Sequence, residues 1–304
     1  MTTGDTGPDH KLDPMEVAGP PSSPPSASRG SRILGNRAVL VSSASTILFF
    51  GFIALVATLA PGSEIVRERF FSWFHLKQSF LGTGSAPSVV GAFVLNVEIF
   101  TISEVLILIL ALVIAIVRGI PDPVFFPFRM VAVAYTDLFR GVPLILVLYV
   151  IGFGVPGLGL RFFSDLSDVT YGIVALVLVY SAYVAEVYRA GIESVHESQN
   201  AAARSLGLTR WQSLRFVILP QAVRRVIPPL LNDFIGLQKD TALVSVLGSI
   251  EAARAAQIYG ASQFNYASYV VAALLFVLIT IPLARFTDRL IARDKRRRQA
   301  GAVA

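Results

Sequence analysis

The sequence predicts an all-α membrane protein with six transmembrane helices, and three observations support this prediction. The 304 residues are 54% hydrophobic and only 15% charged, whereas soluble domains usually carry about 25% charged residues. Mean hydropathy is high, at +0.65. Several stretches with little or no charge approach or exceed the roughly 20 residues with which a helix crosses a bilayer. Most of the chain is therefore expected to lie in lipid.

Six stretches are long and apolar enough to be candidate spans. Four contain no charged residue: 38–60, 142–160, 169–185 and 255–284. A fifth, 99–117, is apolar except for Glu104. The sixth, 226–250, contains three charged residues, so we expect it to be a polar span.

The distribution of basic residues predicts the topology. With the amino terminus placed inside, alternation of the spans leaves five of the 26 Lys and Arg outside and Lys239 within a span. The five are Arg67, Arg69, Lys77, Arg161 and Arg254. By the positive-inside rule, both termini are expected to be cytoplasmic. The basic run at 295–298 is then expected to bind the lipid surface rather than nucleic acid.

Composition divides the chain into segments. Residues 1–30 hold six prolines among Gly, Ser and Thr and are predicted to be a disordered cytoplasmic tail. The apolar stretch in 31–62 is too long for a signal peptide and is predicted to be a retained, extra amino-terminal span. Residues 63–88 are predicted to form an extracytoplasmic segment, either an interfacial helix on the membrane or a ligand contact. The transmembrane core spans 89–293, with a polar loop at 191–225, and 294–304 form a basic cytoplasmic tail.

Several kinds of chemistry are not expected. The chain has no cysteine and only three histidines, which lie in separate polar segments, so we expect no disulfide, thiol catalyst or metal site. It contains no Gly-x-x-x-x-Gly-Lys-Ser/Thr loop, so any ATP hydrolysis must occur on another chain. An Asp-rich motif typical of a membrane enzyme is also missing from the sequence.

The polar loop is predicted to form two helices joined by a glycine turn. The first helix, beginning near Gln199, presents a flat face of three alanines and ends at Gly207, where a left-handed conformation is least costly for glycine. Thr209 and Gln212 have the spacing of a capping box, which begins a second helix that we expect to stop at Pro220. Small side chains allow close approach of a second surface, so this hairpin either docks into a groove on a partner or is simply a surface hairpin.

The loop resembles the signature of ATP-binding-cassette importer permeases: Glu-Ala-Ala, three residues, Gly, nine residues, then Ile-x-Leu-Pro. Gly207 and the run Val217-Ile218-Leu219-Pro220 match this spacing. Four segments resemble the polar amino acid branch in particular: 135–144, 182–191, 219–222 and 239–243. The resemblance covers about 89–293, and it implies a five-helix type I importer core to which the first span has been added as an extra helix.

The resemblance implies a multi-pass permease subunit of the bacterial cytoplasmic (plasma) membrane that moves polar amino acids into the cytoplasm and is not itself an enzyme. Its expected partners are a cytoplasmic ATPase dimer that binds ATP and Mg, a second permease subunit (identical or different), an extracytoplasmic amino-acid-binding protein and the lipid bilayer, with no cofactor on this chain. A secondary carrier or channel for small polar solutes, working without an ATPase, is the alternative. The cytoplasmic coupling helix and its flanks contribute the residues expected to contact the ATPase: Glu197, Gln199, Ala201, Ala202, Ala203, Gly207, Leu219 and Pro220.

One departure from the signature concerns the ATPase contact. Ala201 occupies the position where the family usually has glutamate. Glu197 lies one helical turn earlier and shares the face of Ala201, so it either replaces that contact or the contact is dispensable.

Polar residues within the predicted spans are candidates for a substrate pathway. An ionisable residue at the bilayer centre costs at least about 2.5 kcal/mol, so it normally faces a protein or water-filled interior. The candidates are Asn96, Glu98, Glu104, Tyr180, Tyr183, Asp233, Lys239 and Asp240. Arg140, Glu186 and Arg189 are expected to be interfacial charges near span ends.

Three alternatives stay open for these candidates. Lys239 and Asp240 either neutralise each other and pin neighbouring helices or contact substrate directly. The tyrosines are either core or gate residues. Acids on the second span would favour a substrate with a cationic side chain, unless they are neutral or paired with Lys239, which leaves glutamine and glutamate equally open.

Overall fold

The computed structural model describes residues 29–160 and 166–301, and they fall into two units, one up to Ser63 and one from Glu64 onward. The first unit consists mainly of α1, Arg29–Leu59. All side chains described in α1, from Val41 on, are exposed, as suits an apolar helix surrounded by lipid. The predicted tail at 1–30 lies outside the described residues except for its last two positions, which begin α1.

The second unit is also helical over the residues that the structure describes, apart from one isolated bridge between Thr83 and Ala86. Its helices are α2 Ser63–Phe71, α3 Trp73–Leu81, α4 Val89–Gly119, α5 Phe126–Gly141, α6 Leu144–Tyr149, α7 Asp168–Glu193, α8 Glu197–Ser205, α9 Arg210–Ser213, α10 Leu219–Asp240, α11 Ala252–Gln263 and α12 Ala267–Gly301. Shorter helical turns are Pro123–Phe125, Val150–Gly154, Val155–Gly157, Leu214–Ile218 and Thr241–Leu247. The predicted all-α membrane fold is confirmed.

Four of the described helices are long and apolar enough to cross a membrane. They are α1 over Val41–Leu59, α4, α7, and α12 over Ala267–Arg293. A fifth candidate is a bent pair of segments, Pro123–Gly141 and Leu144–Gly157, whose axes differ by 107°. The count of six spans therefore stays a prediction.

The stretch at 142–160 does not form the straight span that its composition predicted. Val142 is extended, with φ −99° and ψ 131°, and Pro143 precedes the first residue of α6. Proline disfavours a helical conformation in the residue before it, so the chain bends here. The helical segment that follows ends at Gly157 after roughly 14 residues, about 21 Å, which is less than the hydrocarbon thickness of about 30 Å.

The stretch at 255–284 is likewise divided, into α11 and α12. Phe264 adopts a left-handed conformation with φ 49°, which ends α11. The side chain of Asn265 then accepts a hydrogen bond from Ala267 N (2.9 Å) at the start of α12, and its amide donates to the carbonyl of Glu68 (3.0 Å). The sequence analysis missed this break because the whole stretch at 255–284 is free of charged residues.

Helix α7 is the centre of the second unit. The Ser167 hydroxyl caps the start of α7 by accepting a hydrogen bond from Thr170 N (3.2 Å). Half of the residues in the most apolar part of α7 are buried. One apolar core lies between α7 and the helices α4, α5 and α6, around Ile107, Leu148 and Leu176. A second core joins α4, α11 and α12. These two cores position the polar sites described below.

Candidate functional site

The polar loop forms the predicted helical hairpin. His196 caps the start of α8. After the end of α8, the chain turns at Gly207, whose φ is +85°. The capping box is present: Gln212 N donates to Thr209 Oγ1 (3.3 Å), and Thr209 N donates to Gln212 Oε1 (2.9 Å). The glycine turn and the start of the second helix are therefore where the sequence placed them.

The three alanines do not form one flat face, and that prediction is wrong. Successive residues of an α-helix are about 100° apart, so Ala203 turns inward and is only 3% exposed, while Ala201 and Ala202 remain exposed. Inside the hairpin, Ser213 Oγ donates to Asn200 Oδ1 (2.7 Å). The sequence analysis missed this contact, which ties α8 to α9.

The outer surface of the hairpin is partly apolar. Leu206 is 84% exposed and Trp211 is 67% exposed, and both lie beside the glycine turn. Glu197 and Ala201 are also exposed on α8, and Gln199 is exposed in the same turn. The exposed surface of the hairpin therefore contains both apolar and charged side chains.

The second helix of the hairpin does not stop at Pro220, contrary to the prediction. The backbone continues from α9 through the wide turn Leu214–Ile218 into α10, and Leu219 N bonds to Leu214 O, five residues back. Proline has no N–H to donate, but the wide turn shifts the hydrogen-bond pattern, and Gln221 Nε2 donates to the carbonyl of Val217 (3.0 Å). Leu219 and Pro220 thus form the first turn of α10 rather than a helix end.

The hairpin is attached to the membrane helices at both of its ends. The guanidinium of Arg225 on α10 donates to the carbonyl of Ser194, just after α7. A few residues away, Gly191 on α7 lies so close to Val226 on α10 that a Cβ at position 191 would overlap the valine side chain. A displacement of the hairpin would therefore act on α7 and α10 together.

Glu186 joins three helices near this end of α7. Its carboxylate pairs with Arg118 on α4 (3.0 Å), with Arg189 on α7 and more loosely with Arg140 on α5 (4.0 Å). Arg189 also pairs with Glu193. Arg140, Glu186 and Arg189 were expected to be interfacial charges near span ends, and the structure joins them with Arg118 in one ion-pair cluster.

A cavity of about 260 Å³ lies between α7, α10 and the bend before α6. It is lined by Val142, Pro143, Leu144, Val179, Tyr180, Tyr183, Asp233 and Asp240. Four predicted pathway residues thus converge here: Tyr180, Tyr183, Asp233 and Asp240. The cavity combines two carboxyl groups and two phenols with an apolar wall.

Hydrogen bonds order one side of the cavity and leave the other available. Tyr180 OH donates to Asp240 Oδ2 (2.8 Å). Tyr183 OH donates to the carbonyl of Arg140 (3.2 Å), whose guanidinium lies over the tyrosine ring. Asp233 Oδ2 is buried and has no hydrogen-bond partner among the described residues. A buried acceptor without a partner is costly, so the Asp233 carboxylate has unused hydrogen-bonding capacity beside the cavity.

The other predicted pathway residues lie outside this cavity. Glu98 and Lys239 are exposed. Glu104 is half-buried and near enough to Asp233 to interact with it electrostatically, but it does not line the cavity. No ion pair joins Lys239 to Asp240 in the described chain, so their mutual neutralisation is not supported. Consecutive residues at a helix end diverge by about 100°, which separates the two charges.

Asn96 is buried but belongs to a polar junction rather than to the cavity. Its amide donates to Glu251 Oε2 (2.9 Å) and to Thr241 Oγ1 (3.1 Å). Glu251, which is fully buried, was not among the predicted residues. The acid directly before the helical run Ala252–Gln263 is a helix-start signal, and it was the available clue.

A larger cavity, about 470 Å³, lies between α4, α10 and α12, and it is unsuited to a polar solute. Phenylalanines dominate its wall: Phe93, Phe100, Phe234 and Phe286. Its amide groups are already engaged, Asn96 as above and Gln238 Oε1 by Thr280 Oγ1 (2.9 Å). The smaller cavity is therefore the candidate substrate site. No group of three or more potential metal ligands occurs within 29–160 and 166–301.

Comparison with known proteins agrees with this geometry. Residues 107–297 match the family described as binding-protein-dependent transport system inner membrane component. The chain is 39% identical to the probable glutamine ABC transporter permease protein GlnM of Bacillus subtilis (strain 168), over 53% of this chain and 73% of GlnM. It is 32% identical to the arginine transport system permease protein ArtQ of the same organism, over 68% of this chain and 92% of ArtQ.

The fold is also similar to that of a solved transporter. A crystal structure of an amino acid ABC transporter with histidines aligns with a TM-score of 0.62 and 31% identity, covering 67% of this chain and 93% of that chain. The family match spans more than half of the chain, and the match to ArtQ spans nearly all of ArtQ. This chain therefore belongs to the family of inner-membrane permease components of binding-protein-dependent ABC transporters, as a multi-pass transport subunit rather than an enzyme.

Proposed function

We propose that this chain is the permease subunit of an ABC importer that moves polar amino acids into the cytoplasm, and that the cavity between α7 and α10 binds the amino acid during transport. The observation that carries the proposal is the convergence of Tyr180, Tyr183, Asp233 and Asp240 on one small cavity. Similarity to permeases named for glutamine and arginine supports an amino acid as the solute.

The cavity favours an amino acid with a cationic side chain. Asp233 and Asp240 both line it, and neither forms an ion pair with a basic residue in the described part of the chain. A carboxylate in a partly buried site attracts an ammonium or guanidinium group and repels a second anion. Arginine or lysine is therefore the proposed preferred cargo, ahead of glutamine and glutamate.

The hairpin α8–α9 is the proposed contact with the ATPase, which would bind ATP and Mg itself. Its exposed residues, Ala201, Ala202 and Leu206, would enter a groove of the ATPase, and Glu197 would supply the charge that Ala201 lacks. Gly207 would hold the angle between the two helices. Because both ends of the hairpin are attached to α7 and α10, movement of the ATPase pair would reach the two helices that carry the cavity.

The remaining proposed features concern assembly and orientation. The permease would pair with a second, identical or different, permease subunit and receive its solute from an extracytoplasmic binding protein. Both termini would be cytoplasmic, and α2 and α3 would lie on the extracytoplasmic side. The extra helix α1 would make this a six-span subunit.

Uptake by reconstituted vesicles tests the cargo. With the ATPase and binding protein present, we expect ATP-dependent uptake of labelled arginine to exceed that of glutamine and glutamate, with no uptake of a sugar. Uptake that is independent of ATP would instead indicate a secondary carrier. Uptake of sugar alone would overturn the proposed class of solute, and preferred glutamate uptake would overturn the cationic preference.

Cysteine labelling tests the orientation. The chain has no native cysteine, so a single introduced thiol reports its own location. Ala300→Cys is expected to resist a membrane-impermeant reagent in intact cells and to react after permeabilisation. Ser85→Cys, at an exposed position between α3 and α4, is the matched control and is expected to react in intact cells. Labelling of position 300 without permeabilisation would contradict a cytoplasmic carboxyl terminus.

A further inference from the structure

The polar junction around Asn96 lies at the start of the turn that follows Asp240. This turn, Thr241–Leu247, joins α10 to the segment before α11. Asn96 Nδ2 donates to Thr241 Oγ1 (3.1 Å), and the same hydroxyl donates to the carbonyl of Gln238 (2.8 Å). Asn96 on α4 is therefore bonded to the residue directly after Asp240.

The junction also supplies hydrogen-bond acceptors for the first turn of α11. Ala252 N donates to Asn96 Oδ1 (3.0 Å), while Ala253 N and Arg254 N donate to the carboxylate of Glu251 (2.9 and 2.8 Å). A helix start leaves such N–H groups without partners inside the helix. Asn96 and Glu251 satisfy three of them, and a carboxylate at this end is also favoured by the helix dipole.

The junction is buried and its polar groups are mutually satisfied. Glu251 and Thr241 are 0% exposed and Asn96 is 2% exposed. A buried network of this kind is rigid, because the loss of one partner leaves another buried group unsatisfied. Asn96 thus holds three segments in one arrangement: α4, the turn Thr241–Leu247 and the start of α11.

The later part of the turn packs closely against α7 and the helical turn Val150–Gly154. Val244 is fully buried and lies where a Cβ on Gly172 of α7 would be, and Leu247 occupies the equivalent space beside Gly152. The turn is therefore fixed at its end by apolar contacts and at its start by Asn96. Asp240 immediately precedes that start, and its carboxylate accepts the hydrogen bond of Tyr180 (2.8 Å) in the cavity.

We infer that Asn96 is a positioning residue for the solute cavity. Its hydrogen bond to Thr241 fixes the location of Asp240, and its hydrogen bond to Glu251 holds the Asn96 side chain in place. Asn96 does not itself line that cavity. The inference rests on the proposed function, because it assumes that the cavity with Asp240 binds the amino acid. It assigns specific roles to Asn96, Thr241 and Glu251 in amino acid affinity.

A double-mutant cycle tests the positioning role. In the assembled transporter with its ATPase, we expect Asn96→Ala and Asp240→Asn each to weaken the binding of labelled arginine, each by about tenfold, an effect of the size seen for coupled neighbours. In the Asp240→Asn background, Asn96→Ala should weaken binding no further, because there is no carboxylate left to position. A merely structural role would add its full effect in both backgrounds.

A milder variant covers the case in which Asn96→Ala does not assemble. Thr241→Val removes the hydroxyl that links Asn96 to the turn, but it leaves Glu251 and the start of α11 intact. We expect Thr241→Val to raise the KM for arginine. In the Asp240→Asn background, the same substitution should leave the KM unchanged. The paired exchange Asn96→Asp with Glu251→Gln, which keeps the net charge, should restore part of the affinity that Asn96→Asp loses.

The outcomes separate the two proposals. If Asp240→Asn leaves arginine binding unchanged, the assignment of the cavity fails and the positioning role fails with it. If Asp240→Asn weakens binding while Asn96→Ala and Thr241→Val have no effect, or add independently of Asp240, the cavity stands and the positioning role is overturned.

Discussion

Gly207→Val is expected to reduce ATP-driven uptake about tenfold while the chain still inserts into the membrane. Gly207 adopts φ +85°, and apart from Gly207 itself and its two neighbours in the chain, no described residue lies within 4 Å of the place where a Cβ would be. Steric overlap with a neighbour is therefore not the cause. A side chain in a left-handed conformation costs roughly 1–2 kcal/mol, and about 1.4 kcal/mol corresponds to a tenfold change in population. The hairpin would lose its turn, and with it the fixed angle between α8 and α9.

Gly207→Asn is the matched control, because asparagine visits the left-handed region far more readily than valine. We expect near-normal uptake for this variant. The measurements are uptake in vesicles, co-purification of the ATPase and the amount of permease in the membrane fraction. Normal uptake by Gly207→Val would contradict the proposed role of the turn, and equal loss in both variants would indicate that glycine matters for a reason other than backbone conformation.

Asp233→Asn is expected to lower arginine uptake about tenfold or more, with a smaller effect on glutamine uptake. The substitution keeps the shape of the side chain and removes its charge. Asp233 lines the cavity, and its Oδ2 is buried without a hydrogen-bond partner among the described residues. A hydrogen bond to a charged group contributes about 1.5–3 kcal/mol, and the neutral amide would lose much of that contribution for a cationic solute.

Glu98→Gln is the matched control for removal of an acid, because Glu98 is exposed and outside the cavity. Its uptake profile is expected to equal that of the parent protein. Initial rates at several concentrations of arginine and glutamine separate changes in KM from changes in maximal rate. An Asp233→Asn variant that loses both solutes equally would show that the carboxylate does not select for positive charge, and unchanged uptake would remove Asp233 from the pathway.

The hairpin was largely predictable from sequence because its structure is local. The position of Gly207 and the pairing of Thr209 with Gln212 depend on residues close together in the chain, and such spacing is visible in one sequence. The inward position of Ala203 and the continuation past Pro220 were not predicted. They depend on how α8 packs on α9 and on the wide turn Leu214–Ile218, which no local pattern specifies.

The breaks in the apolar stretches were also missed, for a similar reason. Hydropathy measures whether a segment prefers lipid, but it does not measure whether the helix axis is continuous. The bend before α6 depends on Pro143, because proline disfavours a helical conformation in the residue before it. The break between α11 and α12 depends in addition on contacts of Asn265 with α2, nearly 200 positions earlier in the chain.

The sequence by itself determined that this protein is helical and lies in a membrane, that it has the polar amino acid permease motifs, and that a glycine-jointed hairpin interrupts its spans. These properties follow from composition and from local spacing. Only the tertiary structure decided which polar residues act together. It assigned Asp233 and Asp240 to a cavity with Tyr180, and Asn96 to a buried junction with Glu251, which lies 155 positions away. Most buried polar groups are hydrogen-bonded, and the partners of Asn96 come from distant segments that meet only when the helices pack.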